Sequence, residues 1–388
     1  IMWFRKDLRL EDNTALYHAL DHLTPQDTLL CVFHLDENQF KIGEKSHDYF
    51  FSALEAFTTR ASQVNLSLHF LTGDLFDAFA TLKQDFPTWE HIYFNFDNRG
   101  YGQKRDLSMT ALFESQEVHV HSYEEHHLHG AESILKPDGS PYKKFTPYYK
   151  KWIMLPKPLY QKKDCTLYAS KLIQDTESFS QGEKLFHSLL SQRKEVFTGQ
   201  VGEAAATDQL NHFILNDLEA YDKRRDYPSV KGTSRLSPYL ATGTLSIRKV
   251  WQACFNAPSS NGKDTFLKEL AWRDFYHMIY HFNPNQYQEE LIEKYRLLQW
   301  QRIPDLLAAW EQGKTGYPII DAAMRQLNET GWMHNRLRML VASFLTKDLL
   351  IDWRLGERYF SHQLIDYDSA SNIGGWQWAA STGTDAVP

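Results

Sequence analysis

Near its C-terminal end the chain reads Asp366-Tyr367-Asp368-Ser369-Ala370-Ser371-Asn372 and, one residue later, Gly374-Gly375-Trp376-Gln377-Trp378, running on to Thr382-Gly383-Thr384-Asp385. Carboxylates and a carboxamide can read the hydrogen-bonding edge of a heterocycle. Glycines let a backbone approach a flat ligand closely. Indoles can stack on such a ligand or pass electrons to it. Taken one at a time, the same residues serve equally well as an aromatic turn packed in a helical core.

Two other groups have spacings that place chemistry on one helix face. Glu269, Trp272 and Arg273 stand at i, i+3 and i+4, as do Asn335, Arg338 and Met339. A carboxylate beside an indole suits a planar ligand, and equally a surface ion pair beside a core tryptophan. An amide, a guanidinium and a thioether on one face are harder to assign to packing. Arg338 could pair with Asp366 or Asp368. Thr233-Ser234-Arg235-Leu236-Ser237 follows Gly232 and is expected to open a helix. Hydroxyls and free N–H groups there offer an anion site or simple capping. His119, His121, His126, His127 and His129 have no zinc spacing, so no metal is expected. Gly313-Lys314-Thr315 lacks the earlier glycine of a phosphate loop, because Ala308 occupies that place.

The elements that must hold these residues can be read from periodicity. In a chain of 388 residues two domains are expected. Five short apolar runs, at 1–4, 28–34, 67–71, 91–96 and 118–121, alternate with amphipathic stretches near 13–23, 46–61, 75–83 and 103–115. That alternation predicts a parallel α/β sheet. No run is followed by GxGxxG, so the dinucleotide fingerprint is absent. From 124 to about 200 the pattern dissolves around Lys136-Pro137-Asp138-Gly139-Ser140-Pro141 and a lysine-rich stretch, Lys143 to Lys163. This reads as a long connector. Beyond 201 helical periodicity dominates, punctuated by Pro228, Pro238, Pro284, Pro304 and Pro318. The expected spans are therefore 1–123, 124–200 and 201–388. The net charge of −7 excludes a chain that is basic as a whole, so any nucleic-acid contact must be a local patch. Cys31, Cys165 and Cys254 are too few and scattered for a disulfide framework. Arg5, Lys6, Asp7 and Arg9 interrupt any leader pattern, and a cytoplasmic location is expected.

In their shared order these motifs resemble the DNA photolyase/cryptochrome family, most closely the class I cyclobutane pyrimidine dimer photolyases. The matching segments begin with Trp3-Phe4-Arg5-Lys6-Asp7-Leu8-Arg9-Leu10-Glu11-Asp12-Asn13 and Gly232 to Ser237 with Ala241-Thr242-Gly243. They continue with Glu269 to Tyr276, Gly313 to Pro318, Gly331-Trp332-Met333-His334-Asn335 and the C-terminal stretch. The resemblance implies a Rossmann-like α/β antenna domain, a connector and an all-α FAD-binding domain. It implies that Tyr221, Thr233, Ser234, Arg235, Leu236 and Ser237 hold the FAD phosphates and ribityl chain. Arg338, Asp366 and Asp368 would line the flavin ring, and Asn372 would face its N5. Trp376, Trp353 and Trp300 would carry electrons from flavin to surface.

The activity implied is light-driven repair. Fully reduced FAD, once excited, donates an electron to a thymine dimer, the cyclobutane ring splits and the electron returns. Glu269 and Asn335 would bond the thymine edges, Trp272 and Trp378 would wall the lesion, and Met339 would touch it. Arg225, Arg336 and the Lys143–Lys163 stretch would contact the backbone of UV-damaged DNA. Asn335 and Met339 stand where relatives acting on (6-4) photoproducts carry histidines, which favours the cyclobutane lesion. Asn372 stands where plant cryptochromes carry Asp. A cryptochrome-like photoreceptor is the alternative; a light-independent flavin reductase has no nicotinamide signature here. The segment matching the antenna loop is Arg99 to Asp106, with Tyr101-Gly102 in place of an Asn-Glu pair. It leaves methenyltetrahydrofolate, a deazaflavin, FMN or no antenna open, the folate being the first expectation. A monomer is expected. Family members run on past the Thr382–Asp385 motif, so a chain truncated at its C-terminus, and by a few residues before Ile1, is also expected.

Overall fold

The computed structural model describes residues 1–97, 100–174 and 177–384. These residues form two compact units that interleave along the chain. One comprises 1–126, 159–208 and 239–250; the other comprises 127–158, 209–238 and 251–388. The units thus alternate along the chain, whereas the expected spans were consecutive.

The first unit is built on five parallel strands: β1 (Met2–Phe4), β2 (Cys31–His34), β3 (Leu68–Leu71), β4 (His91–Asn95) and β5 (His119–Tyr123), in the order β3-β2-β1-β4-β5. Met2 pairs with Cys31 and Ile92 with Val120. All five expected strands form. Helices Thr14–Asp21, Lys45–Ser62, Leu75–Asp85 and Gly100–Ser115 supply the crossovers. A parallel sheet covered on both faces needs strands that are apolar throughout. Accordingly Met2 and Phe4 enter one core with Phe33 and Phe57, while Trp3 enters the opposite core with Phe79, Phe94 and Phe113.

The polar turn after β1 is buried. Asn95 Nδ2 donates to Asp7 Oδ2 at 2.6 Å and to Asn13 Oδ1 at 2.9 Å. Arg5 pairs with Asp106, and Arg9 with Glu125. Arg248 Nε donates to Asp12 Oδ2 at 2.8 Å. Arg9 Nη1 also donates to Gly243 O at 2.8 Å, so Arg9 and Asp12 both tie residues 239–250 to this turn. Gly243 closes that contact with φ +72°, and its missing Cβ would strike Lys6 O. Gly243→Ala is expected to lower stability by about 2 kcal/mol or more, from a strained φ plus a backbone clash. Chemical denaturation checks this, and an unchanged midpoint would contradict it.

The stretch 124–200 is not a bare connector. It contains helices Phe145–Met154 and Ser180–Ser191. Phe145, Tyr148 and Trp152, at i, i+3 and i+7, are all buried. Lysines on either side of this stripe obscure its period in the sequence. The five candidate histidines divide between the units: His119 and His121 on β5 stack with His91 and Tyr93, whereas His127 stacks on His277 with ring centroids 3.7 Å apart. Among the described residues no group of three His, Cys, Asp or Glu side chains could hold a metal ion. Tyr101 donates to Asp36 Oδ2 at 2.8 Å, and the Asp97 side chain occupies the space a Cβ on Gly102 would need. Arg99 lies outside the described residues, as does Asp385.

The second unit is helical. Helix Asn261–Phe282 packs with Ser369–Ala379. Helices Pro304–Glu311 and Pro318–Thr330 start on proline, where a missing N–H costs nothing. Trp310, Met324, Leu327, Trp353, Phe360 and Trp376 form its core. Thr315 and Gly316 donate their N–H groups to Asp321, so Gly313-Lys314-Thr315 is the turn leading into helix Pro318–Thr330. No described helix is long and apolar enough to cross a membrane.

Candidate functional site

Helix Asn335–Ser343 organises the site. His334 caps it, accepting from Arg336 N at 3.1 Å. One turn then presents three side chains. Asn335 Nδ2 lies 4.0 Å from Met339 Sδ, and Asn335 is exposed. Between them Arg338 Nη2 donates to Asp366 Oδ2 at 2.7 Å while its Nε donates to Met333 O at 2.9 Å. Ser237 Oγ donates to the same Asp366 oxygen at 2.6 Å. The expected pairing of Arg338 is thus with Asp366. Asp368 instead caps helix Ser369–Ala379, accepting from Ser371 N at 2.9 Å. Its cap role follows from its place one residue before the first helical turn.

Thr233 to Leu236 do not begin a helix, which corrects the expectation; the helix runs Ser237–Thr242. Arg235 has φ +54°, in the left-handed region that ends any helical run. Ser234 O accepts from Gln209 Nε2 at 2.9 Å, and Leu236 is buried. The Arg235 guanidinium sits 3.6 Å from the Trp332 ring centroid.

On helix Asn261–Phe282, Glu269 pairs with Arg225, whose guanidinium also lies 5.3 Å from the Tyr221 ring centroid. Burial, reinforced by the Glu269 charge, pushes the Tyr221 hydroxyl well above its ordinary range, so it stays protonated. Trp272 stacks on Phe145 at 3.7 Å, with planes 6° apart. Arg336 Nε donates to Asp226 Oδ1 at 2.8 Å and holds that carboxyl below its ordinary value. Both arginines expected at a DNA backbone are therefore already paired inside the protein. The lysine stretch divides too. Lys143, Lys144 and Lys150 are exposed, but the Lys157 amine sits 4.0 Å from the Trp152 ring and burial lowers it to about 8. Lys163 pairs with Asp21.

Trp353 and Trp376 are buried and Trp300 half-buried, all in or against one core cluster, which Trp378 also flanks. Two carboxylates missed by sequence reasoning meet these residues. Glu357 Oε1 accepts from Asn372 Nδ2 at 3.1 Å and from the Tyr367 hydroxyl at 2.8 Å. Glu290 Oε1 lies 3.4 Å from the indole nitrogens of both Trp300 and Trp353. No local pattern marks either glutamate; each is defined by distant partners. A cavity of about 410 Å³ opens behind Glu357, lined among others by Tyr280, Tyr287, Arg354, Tyr367 and Ser369. None of the expected site residues lines it, and the convergent polar groups around Asp366 and Asn335 carry the site instead.

Residues 1–163 match the family described as DNA photolyase, and residues 266–388 match the FAD binding domain of DNA photolyase. The whole chain is 44% identical to a deoxyribodipyrimidine photo-lyase of Alkalihalophilus pseudofirmus, covering 81% of that protein. The chain belongs to the DNA photolyase family. Among solved structures, a bacterial class III photolyase from Agrobacterium tumefaciens matches all of the chain with TM-score 0.90 and 31% identity, over 80% of its own length. An archaeal photolyase from Sulfolobus tokodaii, solved with two FAD molecules, matches with TM-score 0.85 and 30% identity, over 83% of its length.

The residues present fit the isoalloxazine ring of this photolyase domain. Asp366 Oδ1 is buried with no hydrogen-bond partner in the protein, an acceptor suited to a ring N–H. A Cβ on Gly375 would meet nothing within 4 Å, which leaves room for a flat ring. By contrast Gly374 is needed for packing, because a Cβ there would strike the Tyr276 ring.

Proposed function

We propose that this protein repairs cyclobutane pyrimidine dimers in UV-damaged DNA by light-driven electron transfer, acting as a cytoplasmic monomer. One observation carries the reading. A single turn of helix joins the Arg338–Asp366 pair, the anchor for a flavin edge, to Asn335 and Met339, which project from the same turn. A lesion held by that turn lies beside the flavin. Bound, fully reduced FAD supplies the light-excited electron. Residues 1–123 would serve the antenna chromophore and 201–388 the flavin.

The chain's own residues do the rest. Asp366, fixed by Ser237 and Arg338, orients the ring edge, and Asn372, fixed by Glu357, faces it. Tyr221 and the Thr233–Ser237 segment hold the phosphates and ribityl chain, and Asp368, capping helix Ser369–Ala379, lines the ring with Arg338 and Asp366. The dimer must leave the duplex to reach this site, and a damaged, poorly stacked base costs less to extrude; photolyases as a class act on nucleotides flipped out in this way. Asn335 and Glu269 then take the thymine edges, with Arg225 orienting the Glu269 carboxylate. Trp272, held by Phe145, and Trp378 exclude water. Arg225, Arg336, Lys143, Lys144 and Lys150 position the backbone, an interaction that weakens with salt.

Glu269→Ala is expected to lower the repair yield about tenfold, on the order of 1.4 kcal/mol, with FAD content unchanged. The assay is recovery of thymine absorbance from dimer-containing oligothymidine under blue light. Loss of flavin from that variant would place Glu269 at the cofactor, and unchanged repair would remove it from the lesion.

A further inference from the structure

The Trp300–Trp353–Trp376 route rests on the function proposed above, and Glu290 adds something to it. Glu290 is 3% exposed, yet every oxygen of its carboxylate is used. Oε1 takes the indole N–H of both Trp300 and Trp353, each at 3.4 Å. Oε2 accepts from Arg354 Nη2 at 2.8 Å. Arg354 is itself fixed by Asp352 Oδ1 at 2.9 Å and Gln288 O at 2.7 Å. Its guanidinium lies 4.8 Å from the Trp353 ring centroid. Among the described residues no cation is found over Trp300.

We propose that Glu290 is the positioning residue of the electron route: its carboxylate is the shared counter-ion of Trp353 and Trp300, and Arg354 biases the oxidised site toward Trp300. The charges dictate the direction. Removing an electron leaves a positive indole whose N–H is a stronger donor, and a carboxylate at that N–H stabilises it. Both indoles gain from this, but Trp353 alone carries a guanidinium over its face, which opposes positive charge on the ring. Trp300 is therefore the easier of the two to leave oxidised. Burial by itself would push the Glu290 carboxyl up, but the bonds from Arg354 and the indole keep it below its ordinary value, so the counter-ion is present at neutral pH. The balance is simple. One electron passes from Trp353 to oxidised Trp376, then one from Trp300 to oxidised Trp353. The net electron is taken up by light-excited, oxidised FAD. No bond forms or breaks, and Glu290 keeps its charge.

The test is flash photolysis of FAD-loaded protein, reading the yield of the long-lived tryptophan radical. Glu290→Gln keeps the shape and an acceptor oxygen but removes the charge. A fall of at least threefold is expected, with FAD content unchanged and circular dichroism showing the helices intact. A yield within 1.5-fold of the parent would overturn the proposal. Trp300→Phe runs in parallel: if it leaves photoreduction unchanged, the tryptophan route itself fails, a separate outcome from failure of Glu290. A second measurement needs neither the Glu290 variant nor flavin. Ultraviolet resonance Raman difference spectra, parent minus Trp300→Phe and parent minus Trp353→Phe, should each show a hydrogen-bonded rather than free indole N–H. Free N–H signatures in both would sink the shared-carboxylate assignment.

Discussion

Asp366→Ala is expected to purify without FAD, its flavin affinity weakened about 100-fold. The reason lies in what the carboxylate holds. Asp366 is buried, and its Oδ2 takes bonds from Arg338 at 2.7 Å and Ser237 at 2.6 Å. Removing it leaves the Arg338 guanidinium, among the described residues, bonded to Met333 O. Losing a hydrogen bond from the ring to a charged, buried acceptor costs up to about 3 kcal/mol of binding, roughly two powers of ten in affinity. The Oδ1 acceptor proposed for the ring edge goes with it. Ser237→Ala removes only a neutral donor and should cost about 1 kcal/mol, or fivefold. The measurement is flavin absorbance per protein, with circular dichroism to show that the helices persist. Stoichiometric FAD in Asp366→Ala would end the assignment of this carboxylate to the flavin.

Stability of the second unit should fall as pH rises from about 4 to above 6, and Asp274 should be responsible. Asp274 is 1% exposed; its Oδ2 accepts from Trp152 Nε1 at 2.8 Å and from His129 N at 3.1 Å. Desolvation raises its carboxyl from 3.8 to about 6, against smaller opposing effects of the Trp152 bond and the Arg273 charge. The folded state therefore binds a proton that the unfolded chain has already lost between those two values. By linkage the slope of stability with pH is negative there. The contribution is complete below about 4 and is lost as pH climbs through about 6, a difference of roughly 3 kcal/mol. Asp274→Asn removes the titration but keeps an acceptor for Trp152. Relative to the parent it should gain up to about 3 kcal/mol between pH 4 and pH 7 in chemical denaturation. A parent–variant difference independent of pH would show that Asp274 does not titrate in this window. Asp274→Ala leaves the fully buried Trp152 N–H and the His129 amide without an acceptor, and should cost about 2–4 kcal/mol below about pH 4, a difference that shrinks as pH rises and the parent loses its own Asp274 contribution.

Two of the corrected expectations have causes that are local. The helix Phe145–Met154 was hidden because Lys143, Lys144, Lys150 and Lys151 surround its buried stripe of Phe145, Tyr148 and Trp152. The helix expected from Thr233 was moved to Ser237 by one left-handed residue, Arg235. Neither a stripe diluted by charge nor a single positive φ at an arginine leaves a mark in composition.

Local order in the chain determined what local physics can determine. Short, largely apolar runs specified the five strands of the parallel sheet, and Asn13, Asp74 and Ser260 open helices by accepting the N–H groups that a first turn leaves free. The order of the motifs was enough to place the chain in its family. Only the folded chain decided which charges meet. Arg225 with Glu269, Arg336 with Asp226, Arg338 with Asp366, and Glu290 between two indoles join positions 28 to 110 residues apart or are shared among several partners. A carboxylate has the same side chain whether it faces water, a guanidinium or an indole. Its role is set by which of these the packing of distant helices brings within hydrogen-bond reach.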